Sequence, residues 1–140
     1  MRLLERFDHE GFGGVGNAKL LRLLCEIGRG RTHDFFTDDA LYVDGPRGVH
    51  RGIDAIRAEF EAIVQIVPST TVDIKALVAN GGTVMVERVD NFEIGGKPFD
   101  LEVVGVFDVD DNGRITRWHD YYDLRSSEER IAAGLAAQSR

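Results

Sequence analysis

The apolar residues of this chain change period once, at Pro68, and that switch constrains the fold more than any other feature. Before it, Ile53, Ile56, Phe60, Ile63 and Val67 recur at helical spacing. Pro68 ends that helix, because proline has no N–H to give the helical ladder. After it, the period falls to two, the alternation of a half-buried strand. Thr70–Ala79, Thr83–Ile94, Lys97–Val109 and Arg114–Leu124 read as four strands. Their connectors, Asn80-Gly81-Gly82, Gly95-Gly96 and Asp110-Asp111-Asn112-Gly113, carry hairpin chemistry. Alternation places Val72, Ile74 and Val78, then Val84 and Val86, then Phe99, Leu101, Val103 and Phe107 on the inward face.

Upstream, Asn17 caps a helix through Ile27, with Leu20, Leu21, Leu24 and Ile27 on one face and Gly28 as the stop. Thr32 opens a short second helix carrying Phe35 and Phe36. Ala40–Asp44 reads as a brief strand and Gly45–Gly52 as a turn-rich loop. Ser126-Ser127-Glu128-Glu129 resembles the start of a last helix. Helices followed by an antiparallel meander define the α+β class. The expectation is a strongly curved, mainly antiparallel sheet wrapped into a cone, with N-terminal helices covering an apolar pocket. Residues 1–16 read as a flexible arm and residues 17–140 as one domain, a length that supports one core.

The formal net charge of −7 opposes nucleic-acid binding, which needs a basic footprint, and offers no polybasic membrane anchor. The first ten residues lack the apolar run of a signal peptide, and no stretch nears transmembrane length. The single cysteine, Cys25, has no internal disulfide partner and lies in a leucine-rich helical stretch, so a buried, inert thiol in a cytoplasmic setting is expected. Gly11, Gly13 and Gly16 match the dinucleotide-binding glycine spacing, but no strand precedes them, and a flexible linker is the better reading.

The chemistry concentrates in V-M-V-E-R-V-D-N-F, Val84–Phe92. Val84, Val86, Arg88, Asp90 and Phe92 share one strand face, so an Arg and an Asp interrupt an apolar surface. Buried charge is costly unless paired and hydrogen-bonded. A further carboxylate, Asp120, lies in a later strand between Trp118 and Tyr122 on its own face. Two carboxylates bridged by one guanidinium in an apolar cavity make an acid/base site, although a buried Arg–Asp pair can also be architectural.

The segments E-R-V-D (Glu87–Asp90), G-V-F (Gly105–Phe107), Gly113–Arg125 and F-T-D-D-A-L-Y (Phe36–Tyr42) resemble the limonene-1,2-epoxide hydrolase family. That family lies within the nuclear-transport-factor-2-like fold, shared with ketosteroid isomerase and polyketide-cyclase-like proteins. The likeness covers roughly Ala18–Arg125. It implies an epoxide hydrolase that needs no metal or cofactor and adds water to a small hydrophobic epoxide. By the same resemblance Asp120 is the base that deprotonates water, Asp90 the acid that protonates the epoxide oxygen, and Arg88 the bridge between them. Tyr42 matches the tyrosine that positions the water. Asp44 stands where the family has asparagine, a departure that adds a third carboxylate. Phe92, Leu101, Val103, Trp118 and Tyr122 are the expected substrate walls. A homodimer is expected from the resemblance and from the open sheet face.

Two rivals stay open. One is an isomerase or cyclase on the same fold, with Asp44 or Asp120 abstracting a carbon-bound proton. The other is a non-catalytic protein holding an apolar ligand. His9, His33, His50 and His119 lack ligand-like spacing, and His119 should face away from Asp120, so no metal site is expected. Asp108, Asp110 and Asp111 read as a solvated turn rather than a calcium loop. The absence of a G-x-S-x-G elbow argues against a serine hydrolase.

Overall fold

A computed structural model describes residues 31–68 and 70–138. The expected arm at 1–16 and the helix from Asn17 to Ile27, with Cys25, lie outside the described residues. A single 3-10 turn, Thr32–Asp34, leads into strand β1 (Phe36–Asp44), which a tight turn joins to β2 (Gly48–Arg51). Helix α1 (Ile53–Ile66) follows, then β3 (Thr70–Asn80), β4 (Thr83–Ile94), β5 (Lys97–Val109), β6 (Ile115–Tyr121) and helix α2 (Leu124–Gln138). The six strands form one curved, open sheet in the order β2-β1-β6-β5-β4-β3. All pairs are antiparallel except β1 and β6, which run parallel. This is the α+β, mainly antiparallel architecture expected from the alternation.

Helix α1 lays Ile53, Ile56 and Phe60 onto the inner face of the sheet, against Phe36, Ala40 and Tyr42 of β1. Val72, Val84, Val86, Phe107, Ile115 and Trp118 complete the core. Trp118 is its largest fully buried side chain, with the rings of Phe36, Tyr42, Phe60 and Phe107 at 4.8–6.2 Å. Aromatic pairs at such spacings contribute about 0.5–1.5 kcal/mol each beyond area burial. The stack fixes the indole, and with it the strand that carries Asp120.

Four local expectations need correction. Phe36 opens β1 rather than ending a helix; its ring is fully buried in the core, and core burial outweighs the local preference. Gly48–Arg51, expected as loop, pairs with β1 as a hairpin, Leu41 to Arg51 through Asp44 to Gly48. Val78, expected inside, is 62% exposed, while Leu77 and Ala79 pack on the core. A bulge causes this: Ile74 pairs with Arg88, but Ala76 pairs with Glu87, so Lys75 is the extra residue and the alternation flips beyond it. Finally, α2 begins at Leu124, because Asp123 Oδ1 accepts the Ser126 N–H at 3.2 Å and serves as the cap.

Candidate active site

The inner face of the sheet reads as transverse rows. One row runs from His50 through Tyr42, Trp118, Phe107 and Val84 to Ala79. The next runs from Asp44 through Asp120, Gly105 and Val86 to Leu77. Arg88 stands one row further along β4, opposite Val103, and Asp90 beyond it opposite Leu101. Arg88 is on β4 and Asp120 on β6, with β5 between them. Adjacent strands lie about 4.8 Å apart, so the guanidinium has to cross a whole strand to reach Asp120.

It crosses over Gly105. A Cβ there would lie 2.6 Å from Arg88 Nη1, 2.9 Å from the Phe107 ring and 3.0 Å from Asp120 Oδ1. The bridge therefore requires a residue without a side chain at this point. Arg88 Nη1 and Nη2 donate to Asp120 Oδ1 and Oδ2 at 3.0 and 2.9 Å. Nε and Nη2 donate to Asp90 Oδ1 and Oδ2 at 2.9 and 3.2 Å. One guanidinium thus grips both carboxylates bidentately, the strong form of this pairing. The Trp118 indole N–H donates to Asp120 Oδ1 at 2.6 Å. The side chains of Arg88, Asp120 and Asp90 are 2%, 8% and 16% exposed, so the network is nearly dry but open at Asp90.

Burial opposes the charge on Arg88, but Asp120 and Asp90 outweigh it and hold the guanidinium more firmly protonated than usual. Burial pushes the Asp90 carboxyl above its ordinary range, against the pull of Arg88 and with help from Asp120. Tyr42 is 3% exposed, and burial, then the charges of Asp120 and Asp44, keep its phenol neutral. Burial likewise raises the Asp44 carboxyl.

Arg88, Asp90, Asp120 and Trp118 thus meet directly. Tyr42 and Asp44 lie on the adjoining strand, in register with Trp118 and Asp120. Phe92 and Leu101 are half-buried beside Asp90, with the Phe92 ring 4.8 Å from that of Phe99, and Val103 is buried. Trp118, expected as a wall, is 1% exposed and acts on Asp120 through its N–H. Tyr122 is hydrogen-bonded to Asp44. His119 lies on the opposite face, stacked on Tyr121 at 3.9 Å. Asp110 Oδ1 accepts the N–H groups of Asn112 and Arg114 at 2.9 Å each, which accounts for the acidic turn. Among the described residues no cluster of His, Cys, Asp and Glu has the arrangement of a metal site. None of their helices is long and apolar enough to cross a membrane. Gly105 stands in the G-V-F segment, but the motif gives no hint that the bridge passes over it. The signal available is a lone glycine inside the apolar run V-V-G-V-F, where a strand loses packing unless something approaches closely.

The class that this fold and site define is the SnoaL-like domain, whose family model matches residues 30–118; the chain belongs to that family. The chain is 42% identical over 66 residues to epoxide hydrolase EphG of Mycobacterium tuberculosis, a match spanning 47% of this chain and 44% of that relative's length. It superposes with a TM-score of 0.69 and 28% identity on a solved LEH-like epoxide hydrolase from M. tuberculosis, covering 99% of this chain and 88% of that one. The epoxide hydrolase/cyclase-like enzyme SalBIII, which has a role in pyran ring formation in salinomycin, shares the fold at 21% identity. There the TM-score is 0.66, over 77% of this chain and 88% of that one.

Proposed function

We propose that this protein is a cofactor-independent epoxide hydrolase that adds water to a lipophilic epoxide to give a vicinal diol. The observation that carries the reading is the Arg88 bridge, one guanidinium bonded to a buried and a part-buried carboxylate on different strands. The similarity to EphG supports it. Asp120 takes a proton from water. The water oxygen attacks an epoxide carbon as its C–O bond breaks, and Asp90 gives its proton to the departing oxygen. Each transfer is worth about 10²–10⁴-fold. An acid has to hold its proton, and burial of Asp90 favours that form. Arg88 keeps both carboxyls in place; Tyr42 and Asp44 hold the water. Phe92, Leu101 and Val103 are the residues assigned to the walls; Trp118 and Tyr122, expected there too, are instead tied by hydrogen bonds to Asp120 and Asp44.

The same proposal treats residues 17–140 as one catalytic domain, cytoplasmic on the strength of the single cysteine. It also makes the protein a homodimer. An apolar stripe on the outer face supports this: Val49, Val43, His119, Val106, Met85 and Val78 fall in one row across all six strands. Of these, Val49, Met85 and Val78 are 56%, 46% and 62% exposed. Sedimentation at micromolar concentration is expected to give a dimer; a monomer removes this part of the proposal.

The test of the chemistry is a panel of apolar epoxides with diol formation as readout. Asp90→Asn and Asp120→Asn should each lower turnover by about 10²–10⁴-fold while far-UV dichroism stays native. In ¹⁸O-water, the first diol formed per active site should carry label. Unlabelled first-turnover diol means an ester on the enzyme and overturns direct attack by water. A second reading, isomerase or cyclase, rests on Asp44, a half-buried carboxyl in register with Asp120 and able to serve as a carbon-proton base. Solvent deuterium entering a ketone substrate would put it first. Apolar-ligand binding with no turnover of either kind would favour a binding protein.

A further inference from the structure

We propose that Tyr122 is a positioning residue: it acts through Asp44, holding that carboxylate in place beside Asp120 rather than touching substrate. The inference rests on the hydrolase reading for Asp44's part in the water site. Tyr122 Oη donates to Asp44 Oδ1 at 2.9 Å and lies 3.4 Å from Asp44 O, so it meets both the side chain and the backbone of one residue. The ring is held as well. Gly45 has φ +49°, and a Cβ there would lie 2.5 Å from Tyr122 Cε1 and 2.9 Å from Cδ1 and Cζ. Only a glycine, in a backbone state that other residues rarely adopt, leaves the slot this ring fills. Asp44 ends β1 in register with Asp120, and Tyr122 follows directly on β6. All three residues therefore gather at the same end of the parallel strand pair.

A wall needs only an apolar ring, for which phenylalanine suffices; the hydroxyl is what reaches Asp44. Burial, then the charge of Asp44, keeps the phenol neutral and so a donor. The charged and titratable groups acting on Asp44 come from every side. Tyr122 and Asp120 belong to β6 and its end, Arg47 to the following turn, and Glu59 to α1. Tyr42 shares β1 with Asp44 and is coupled to it. His50 of β2 lies 3.7 Å from Glu59. Burial raises the Asp44 carboxyl, and the Tyr122 hydrogen bond is the largest influence lowering it, ahead of Arg47. With Oδ1 committed to the phenol, Oδ2 remains to accept from the nucleophile.

The experiment compares the parent with Tyr122→Phe, Asp44→Ala and the double variant, all as the full chain. Tyr122→Phe should lower kcat for epoxide hydrolysis about tenfold, the worth of a hydrogen bond to a charged group. KM should hardly change, and the acid limb of the kcat profile should move to higher pH. In the Asp44→Ala background, which has no acceptor for the phenol, the same change should have no further effect. Gly45→Ala, which displaces the ring but keeps the hydroxyl, should lower kcat in the same sense. A raised KM with unchanged kcat, or fully additive losses, would make Tyr122 a substrate contact and overturn the proposal. A ¹³C-carboxyl titration of Asp44 provides a readout independent of turnover. It should move to higher pH in Tyr122→Phe, and an unmoved titration overturns the proposal. If the parent turns over no epoxide while the Asp44 titration still moves, the hydrolase reading fails and the hold of Tyr122 on Asp44 stands.

Discussion

Two Arg–Asp pairs on neighbouring strands of this sheet behave in opposite ways. Arg117 Nε lies 2.6 Å from Asp108 Oδ2, with both side chains 35% exposed. Arg88 Nε lies 2.9 Å from Asp90 Oδ1, with the side chains 2% and 16% exposed. At the surface the hydrogen bond from Arg117 dominates, and Asp108 falls below the usual carboxylate range. In the interior burial dominates, and Asp90 rises despite its arginine. Partner and distance are nearly the same; the water around them is not. Desolvation therefore decides whether such a pair yields a firmly ionised carboxylate or one ready to keep a proton.

The largest break in this comparison comes from removing each arginine. Arg88→Ala leaves buried Asp120 and part-buried Asp90 without their shared cation and should cost about 3–5 kcal/mol in urea unfolding. Arg117→Ala should cost about 0–1 kcal/mol, as an exposed pair does. Equal losses would mean that burial does not separate the pairs. Gly105→Ala is a gentler break. Its new methyl falls within 2.6 Å of Arg88 Nη1, so about 1–3 kcal/mol of stability should go. On the proposed hydrolase reading, epoxide turnover should fall with it, because the bridge to Asp120 is pushed aside; unchanged turnover would separate the bridge from catalysis.

The smallest effects lie in the pH dependence, where the two aspartates should have opposite signs. Below the ordinary carboxylate value the unfolded chain binds a proton that folded Asp108 refuses. Its contribution is present above that value and lost as pH falls through the lowered folded one. Folded Asp90 instead keeps a proton that the unfolded chain has released. Stability from this group falls as pH rises from the ordinary value to the raised folded one. In melts between about pH 3 and 6, Asp108→Asn should therefore lose ground to the parent as pH rises, and Asp90→Asn should gain it. Slopes of the same sign for both variants would refute the contrast.

Much of this arrangement was legible because strand alternation is strict. V-E-R-V-D places Arg88 and Asp90 on one face whatever the partner strands do. The third member was harder to read, since Asp120 comes within reach only through the register that aligns it with Gly105. The bulge at Lys75 left no mark, because Val78 is as apolar as the Leu77 that replaces it inside. The hairpin strand Gly48–Arg51 was hidden by flanking Gly and Pro, which signal turns without showing how short the turn is. The indole of Trp118 was read for its ring, whereas its N–H is what meets Asp120.

The parallel pairing of β1 with β6 also sets an order of events. β3 to β6 are joined by successive hairpins, so Arg88, Asp90 and Asp120 can meet through contacts at most 32 positions apart. Asp44 and Tyr122 are 78 positions apart, and closing so long a loop comes late because its entropy is spent before its contacts form. In pulsed hydrogen exchange the amides of β4 and β5 should gain protection before those of β1. A molecule halted between those stages already has the Arg88 bridge from Asp90 to Asp120 but not the strand that brings Asp44 beside it. On the proposed hydrolase reading, the start of chemistry then coincides with the end of folding.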